Sequence, residues 1–170
     1  IIKTPAGYDL GRRLVLLRND LARLIDTLEG DPLYEVRRQV GFVFQFYNLV
    51  PTLTAKENVA LIAELSSSDG LKHTEQVLER VGLADRMDHF PGQLSGGEQQ
   101  RVSIARGLVK DPPLMLCDEP TGSLDVESGI SILKLLRDVT SDGERSVLIV
   151  THNSVTADMA DRVIRLRDGQ

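Results

Sequence analysis

Two adjacent carboxylates, Asp118 and Glu119, close the apolar run Leu114-Met115-Leu116-Cys117 and stand directly before Pro120. Such a pair can divide its work: one acid holds a metal ion and the other takes a proton from water. The plain reading is a buried strand that runs out into a solvated acidic turn. Ser95-Gly96-Gly97, ahead of a helical pattern, suits an anion. Glycines let the backbone come close, and free N–H groups with the helix dipole favour a phosphate. The plain reading there is an ordinary N-cap. Gln45 ends another apolar run, where its amide could hold a metal-bound water or face solvent. His152 follows an apolar run and Thr151. A neutral imidazole in that place can give one hydrogen bond to a phosphate oxygen or an attacking water, or be a satisfied histidine at a sheet edge. His73 and His89 lack such a setting and read as surface residues.

Placing these groups requires strands that end together. Leu114–Cys117 reads as a strand buried inside a parallel sheet, ended by the proline. In open α/β sheets, ligands bind outside the carboxyl ends of the strands. Val40–Gln45, β-branched and aromatic, predicts a second strand, Ser146–Val150 a third and Val163–Leu166 a fourth. Thr54-x-x-Glu57 is a capping box ahead of Val59, Ile62, Ala63 and Leu65 at helical spacing. Ser66–Gly70 reads as a turn. A second helix carries Leu71, Val77, Leu78 and Val81, with Gly82 at its C′ position. Ser95 and Glu98 form another capping box, and that helix runs to Asp111-Pro112-Pro113. Gly122–Asp125 is a turn before an amphipathic helix, Val126–Val139. Ser154–Arg162 predicts a last short helix. In the first thirty residues, Leu14–Leu17 is a possible strand and Asn19–Leu28 a possible helix. The expected fold class is α/β: a mostly parallel sheet with flanking helices and an inserted helical subdomain at about residues 54–110, all in one domain over residues 1–170.

Composition is that of an ordinary globular chain: 41% hydrophobic, 26% charged, net charge −5 over 170 residues. The acidic balance argues against a nucleic-acid footprint spread over the surface. One cysteine cannot form an internal disulfide, which suits a reduced, cytosolic thiol. No apolar stretch approaches the ~20 residues of a membrane span, and no secretory signal is legible. Work at a membrane would therefore proceed by docking to another subunit.

Taken in order, the motifs resemble the nucleotide-binding subunit of ABC transporters, with a P-loop NTPase-like fold. Leu94–Val102 resembles the family's signature motif, and Leu114–Glu119 its Walker B strand with the catalytic glutamate. Ser123-Leu124-Asp125 resembles the D-loop, Gln45 the Q-loop glutamine and His152 the switch histidine. Phe42–Thr54 is similar to the lipoprotein- and macrolide-exporter branch. The likeness runs from about Tyr34 to Gly169.

The resemblance implies ATP and Mg²⁺ as cofactors and a head-to-tail dimer with a second nucleotide-binding subunit. Ser95, Gly96, Gly97 and Glu98 of one subunit would face the nucleotide of the other. Asp118 would hold Mg²⁺ through water and Glu119 would polarise the attacking water. His152 would touch the γ-phosphate, Gln45 would link the metal to a transmembrane permease subunit, and Asp125 would cross the dimer interface. Phe46, Tyr47 and Leu49 would meet the permease, or pack against the helix at Thr54. Location would be cytoplasmic, peripheral on the inner face of the cell membrane, and nucleic acid is not an expected partner.

One departure stands out. A Walker A motif needs Gly-x-x-x-x-Gly-Lys-Ser/Thr, and none of Lys3, Lys56, Lys72, Lys110 and Lys134 follows a glycine. The expectation is thus an N-terminally incomplete cassette that binds ATP weakly or not at all by itself. Two alternatives follow. One is a degenerate or truncated cassette that lends its signature motif in trans without hydrolysing ATP. The other is a superfamily ATPase acting on DNA or the ribosome, against which the aromatic Gln45 loop and the lack of basic runs both speak.

Overall fold

The computed structural model describes residues 39–64, 70–141 and 143–164. The strand and helix expected before residue 31, Leu65 with most of the Ser66–Gly70 turn, and the end of the strand expected at Val163–Leu166 lie outside the described residues. Arg38–His152 is one compact unit, and the described residues from Asn153 on fall in another.

The first unit is built on three parallel strands in the order β1-β2-β3: β1 Val40–Val43, β2 Leu114–Asp118 and β3 Ser146–Val150. Register pairs Val43 with Cys117 and Asp118 with Val150. The strands therefore end side by side, and Glu119 and Thr151, each one residue past its strand, come out at the same edge. β1 is two residues shorter than expected, so Gln45 lies in the turn beyond it.

Between β1 and β2 run α1 (Ala55–Glu64), α2 (Gly70–Arg80) and α3 (Gly96–Leu108). The Thr54 backbone N–H donates to Glu57 Oε2 at 2.7 Å while the Glu57 N–H donates to Thr54 Oγ1 at 3.2 Å, which is the expected capping box. Gly82 ends α2 at φ +77°, a left-handed C′ residue. α3 buries Val102, Ile104, Ala105 and Leu108 and sits directly on the sheet. A Cβ on Gly41 would overlap Met115 Sδ and lie 2.5 Å from the Gly107 carbonyl oxygen. Glycine at both positions is what lets helix and strand backbones approach.

α4 (Val126–Val139) follows β2 and buries Ile132, Leu133, Leu135, Leu136 and Val139. Each such side chain contributes about 1.5–3 kcal/mol on burial. The core joins Ile132, Leu135, Leu136 and Val139 to Val43, Met115, Leu78, Val81, Leu83 and Ile104. Cys117 is part of it, and burial pushes its thiol up to about 12. In the second unit, α5 covers Ser154–Asp158, shorter than the expected Ser154–Arg162, and residues 163–164 are not in a strand. Among the described residues, no helix is long and apolar enough to cross a membrane.

Candidate functional site

The site lies at the carboxyl edge of the sheet, with Glu119 at its centre. Glu119 leaves β2 in the left-handed region, at φ +43°, which is unusual for a residue with a side chain. Its backbone N–H donates to the Val150 carbonyl at 2.9 Å, and its own carbonyl accepts from Gly122 N–H at 3.0 Å. These two bonds continue the β2–β3 pairing by one residue and start the turn that follows. They turn the carboxylate towards the end of β3.

Three donors meet that carboxylate. Thr151 Oγ1 donates to Oε2 at 2.9 Å. The His152 backbone N–H donates to Oε1 at 2.8 Å, and His152 Nδ1 bonds the same oxygen at 2.6 Å. An ionised carboxylate only accepts, so Nδ1 carries a hydrogen in this arrangement. Nε2 is then left for another partner on a ring that is 86% exposed, whereas the Glu119 side chain is 16% exposed. Burial is the largest single influence on the Glu119 carboxyl and pushes it up. The hydrogen bonds from His152 and then Thr151 together outweigh it and hold the group below its ordinary value.

Gln45 comes to the same place from β1. A Cβ on Gly122 would lie 3.1 Å from Gln45 Nε2 and 3.3 Å from Glu119 Cβ. A side chain at this position would press on both the amide and the acid. Ser123 Oγ donates to the Gln45 carbonyl at 3.4 Å. Asp118, the last residue of β2, is exposed beside them.

The Ser95-Gly96-Gly97 segment forms a second cluster at the start of α3. Ser95 is the N-cap: Glu98 N–H donates to its hydroxyl at 3.3 Å, and its own N–H donates to Glu98 Oε2 at 2.8 Å. The Ser95 bonds come first among the influences that hold the Glu98 carboxyl low, against burial and with help from Arg86, whose Nε donates to it at 3.0 Å. A Cβ on Gly96 would lie 3.0 Å from the Tyr47 hydroxyl and 3.3 Å from Leu124 Cδ2; one on Gly97 would lie 3.4 Å from Ser128 Oγ. The helix start is thus seated against the loops after β1 and β2. Asp125 caps α4, accepting from Ser128 N–H at 2.9 Å, and this bond leads the influences that lower its carboxyl.

Glu119, His152 and Gln45 are therefore brought together, with Asp118 adjacent. Gly96 and Gly97 lie against Leu124 and Ser128, the residues on either side of the Asp125 cap, and Ser95, Glu98 and Asp125 each serve a helix cap. Phe46 is 75% exposed, while Tyr47 and Leu49 are half-buried and Leu49 packs on the core.

Sequence reasoning missed two residues that shape the loop after β1. Asn58, buried in α1, accepts from Val50 N–H at 2.7 Å and donates to the carbonyls of Val50, Leu53 and Thr54 at 3.0–3.1 Å. Arg106, in the last turn of α3, donates to the carbonyls of Tyr47 at 2.8 Å and Asn48 at 2.5 Å. The only available signal was a polar side chain interrupting an apolar helix pattern.

Comparison with known proteins gives the family of this α/β fold. The ABC transporter family model matches residues 15–122, and the chain belongs to that family. It is 47% identical over 150 residues to a macrolide export ATP-binding/permease protein of Brucella melitensis, covering 86% of this chain and 23% of that one. It is 50% identical over 146 residues to an uncharacterized ABC transporter ATP-binding protein of Mycobacterium tuberculosis, covering 84% of this chain and 44% of that one. The chain thus spans less than half of either relative. A solved dimeric ATP-binding cassette in a post-hydrolysis state, bound to ADP and Pi, superposes with a TM-score of 0.70 at 40% identity, covering 84% of this chain and 65% of that one.

Proposed function

We propose that this chain is the ATP-binding and ATP-hydrolysing part of an ABC transporter, energising export or lipid or lipoprotein extraction. The observation that carries the reading is the Glu119 carboxylate, fixed by Thr151 and His152 at the strand-end edge with Gln45 beside it. Family membership supports it, and the reading of a degenerate cassette that only lends its signature motif is not favoured by relatives described as ATP-binding proteins.

Asp118 and Gln45 offer one exposed carboxylate and one amide. That donor set fits Mg²⁺, which keeps several waters and takes the rest of its ligands from phosphates. Bound Mg-ATP would supply the phosphoanhydride to be broken. Glu119 accepts the proton of the attacking water; its two oxygens have about four acceptor sites, of which three are now taken. The exposed His152 ring is the partner free to leave, and its Nε2 can then meet a phosphate oxygen. Ser95 to Glu98 face a nucleotide held by a second, head-to-tail subunit, with Asp125 at that interface. Residues 54–110 serve as the helical subdomain. Phe46 and its neighbours receive a transmembrane permease at the inner face of the membrane.

The test is ATP turnover by the full-length protein that contains this chain, assembled with its permease. Measurable turnover that Glu119→Gln removes supports the reading. Turnover that persists within a fewfold in Glu119→Gln sinks it.

A further inference from the structure

The loop after β1 holds an unusual backbone. Tyr47 and Asn48 both lie in the left-handed region, at φ +57° and +50°, and neither is glycine. Two consecutive residues of this kind are strained unless their surroundings hold them. A local turn contributes, since Asn48 N–H donates to the Phe46 carbonyl. The carbonyls of the strained pair themselves both point at one side chain, the Arg106 guanidinium. Its fork presents several donors in a fixed plane, so it can grip two adjacent carbonyls at once.

Arg106 belongs to α3, the helix whose other end is the Ser95-Gly96-Gly97 segment. The same loop touches that other end too, because the Tyr47 hydroxyl sits over Gly96. Two residues before Tyr47, Gln45 stands against Gly122 beside Glu119. The loop is thus fastened to α3 at both ends of the helix and reaches the acid from there.

We propose that Arg106 is a positioning residue that locks the Gln45 loop to α3, so that the packing of α3 on the sheet fixes where Gln45 stands relative to Glu119. The role in catalysis rests on the proposed ATPase function; the lock itself does not.

The experiment uses the full-length protein with Arg106→Ala and Arg106→Lys. Amide hydrogen exchange is read separately for the loop, residues 44–50, and for β2, residues 114–118. Both variants are expected to raise loop exchange by about tenfold or more while β2 keeps its protection. Lysine fails to rescue because a single ammonium does not reproduce the fork. Steady-state turnover is expected to show kcat lowered by about tenfold to a hundredfold with KM for ATP within about twofold, since Arg106 touches no nucleotide.

Loop exchange unchanged in Arg106→Ala overturns the lock. So does full restoration of loop protection by lysine. If Arg106→Ala loses β2 protection as well, Arg106→Gln, which keeps the stem and one amide donor, is read by the same two criteria. A loosened loop in a protein that shows no turnover even unmodified upholds the lock and defeats the ATPase reading. A loosened loop with kcat unchanged overturns the coupling to Glu119.

Discussion

Two neighbouring parallel strands are followed by non-glycine residues of left-handed backbone, Glu119 directly after β2 and Tyr47-Asn48 in the loop after β1, and the two are held in opposite ways. After β2, Glu119 is fixed by its own main chain, which bonds Val150 and Gly122, and by donors from the adjacent end of β3. After β1, Tyr47 and Asn48 are gripped by one side chain from a helix. The first end can move only if the sheet moves. The second is placed by α3 and only through α3 by the sheet. One end is thus set by main-chain pairing, the other by a side chain whose loss leaves the sheet in place.

The sharpest way to probe the fixed half is Glu119→Gln. The amide keeps the shape and loses the base, so turnover of the full-length protein should fall by about 10² to 10⁴-fold with nucleotide binding kept. Radiometric phosphate release beside equilibrium nucleotide binding gives both numbers. A variant that lost binding and turnover together would mean the carboxylate holds structure, not a proton.

Gly41→Ala attacks the frame common to both halves. The new methyl would meet Met115 and the Gly107 carbonyl, and overpacking of that kind costs about 1–3 kcal/mol. Urea unfolding should show it, with the loss of protection in β1 and β2 alike. A neutral result would mean that α3 can lift off the sheet without cost.

Asn58→Ala singles out the half held by side chains. It takes the Asn58 bond from the Val50 N–H and the Leu53 carbonyl, while the Val50 and Thr54 carbonyls keep backbone donors, and an unmet group costs about 1–3 kcal/mol. Exchange should rise at residues 50–54 more than at residues 119–122. Equal changes at both would erase the distinction drawn here.

The smallest effect is on pH. The folded Glu119 carboxyl lies below its ordinary value of 4.5. A group whose folded pKa is depressed contributes stability that is present above the unfolded value and is lost as pH falls through the folded one. Below about pH 4.5, then, the native protein should lose stability that Glu119→Gln never had, and the two urea midpoints should converge. Curves that stay parallel down to pH 3 would show that the Thr151 and His152 bonds add nothing to the charged form.

Much of this was legible in the sequence. Ser95/Glu98 and Thr54/Glu57 have capping-box spacing, and both boxes form, because a cap is decided by four consecutive residues. The strands at Leu114 and Ser146 were visible as short apolar runs bounded by turn residues. Val40–Gln45 was read two residues too long, since Phe44 and Gln45 have strand-like types but the chain turns there under tertiary contacts. The last helix was overextended in the same way. Arg106 and Asn58 were opaque because their partners are backbone carbonyls and N–H groups, which leave no trace in residue type. Gln45 and Glu119 meet over Gly122, a residue that reads in sequence only as a turn.

The buried thiol of Cys117 has a consequence for how the protein can be observed. It is the chain's sole cysteine, and with its thiol pushed up to about 12 only about one molecule in a hundred thousand is thiolate at pH 7. Alkylating dyes should ignore it while β2 stays in place. Cysteines placed by design at Phe46 and Val126, both open to solvent, could then be tagged without removing it. Slow alkylation of Cys117 itself would time the opening of the strand that carries Asp118, in a molecule that needs no other label.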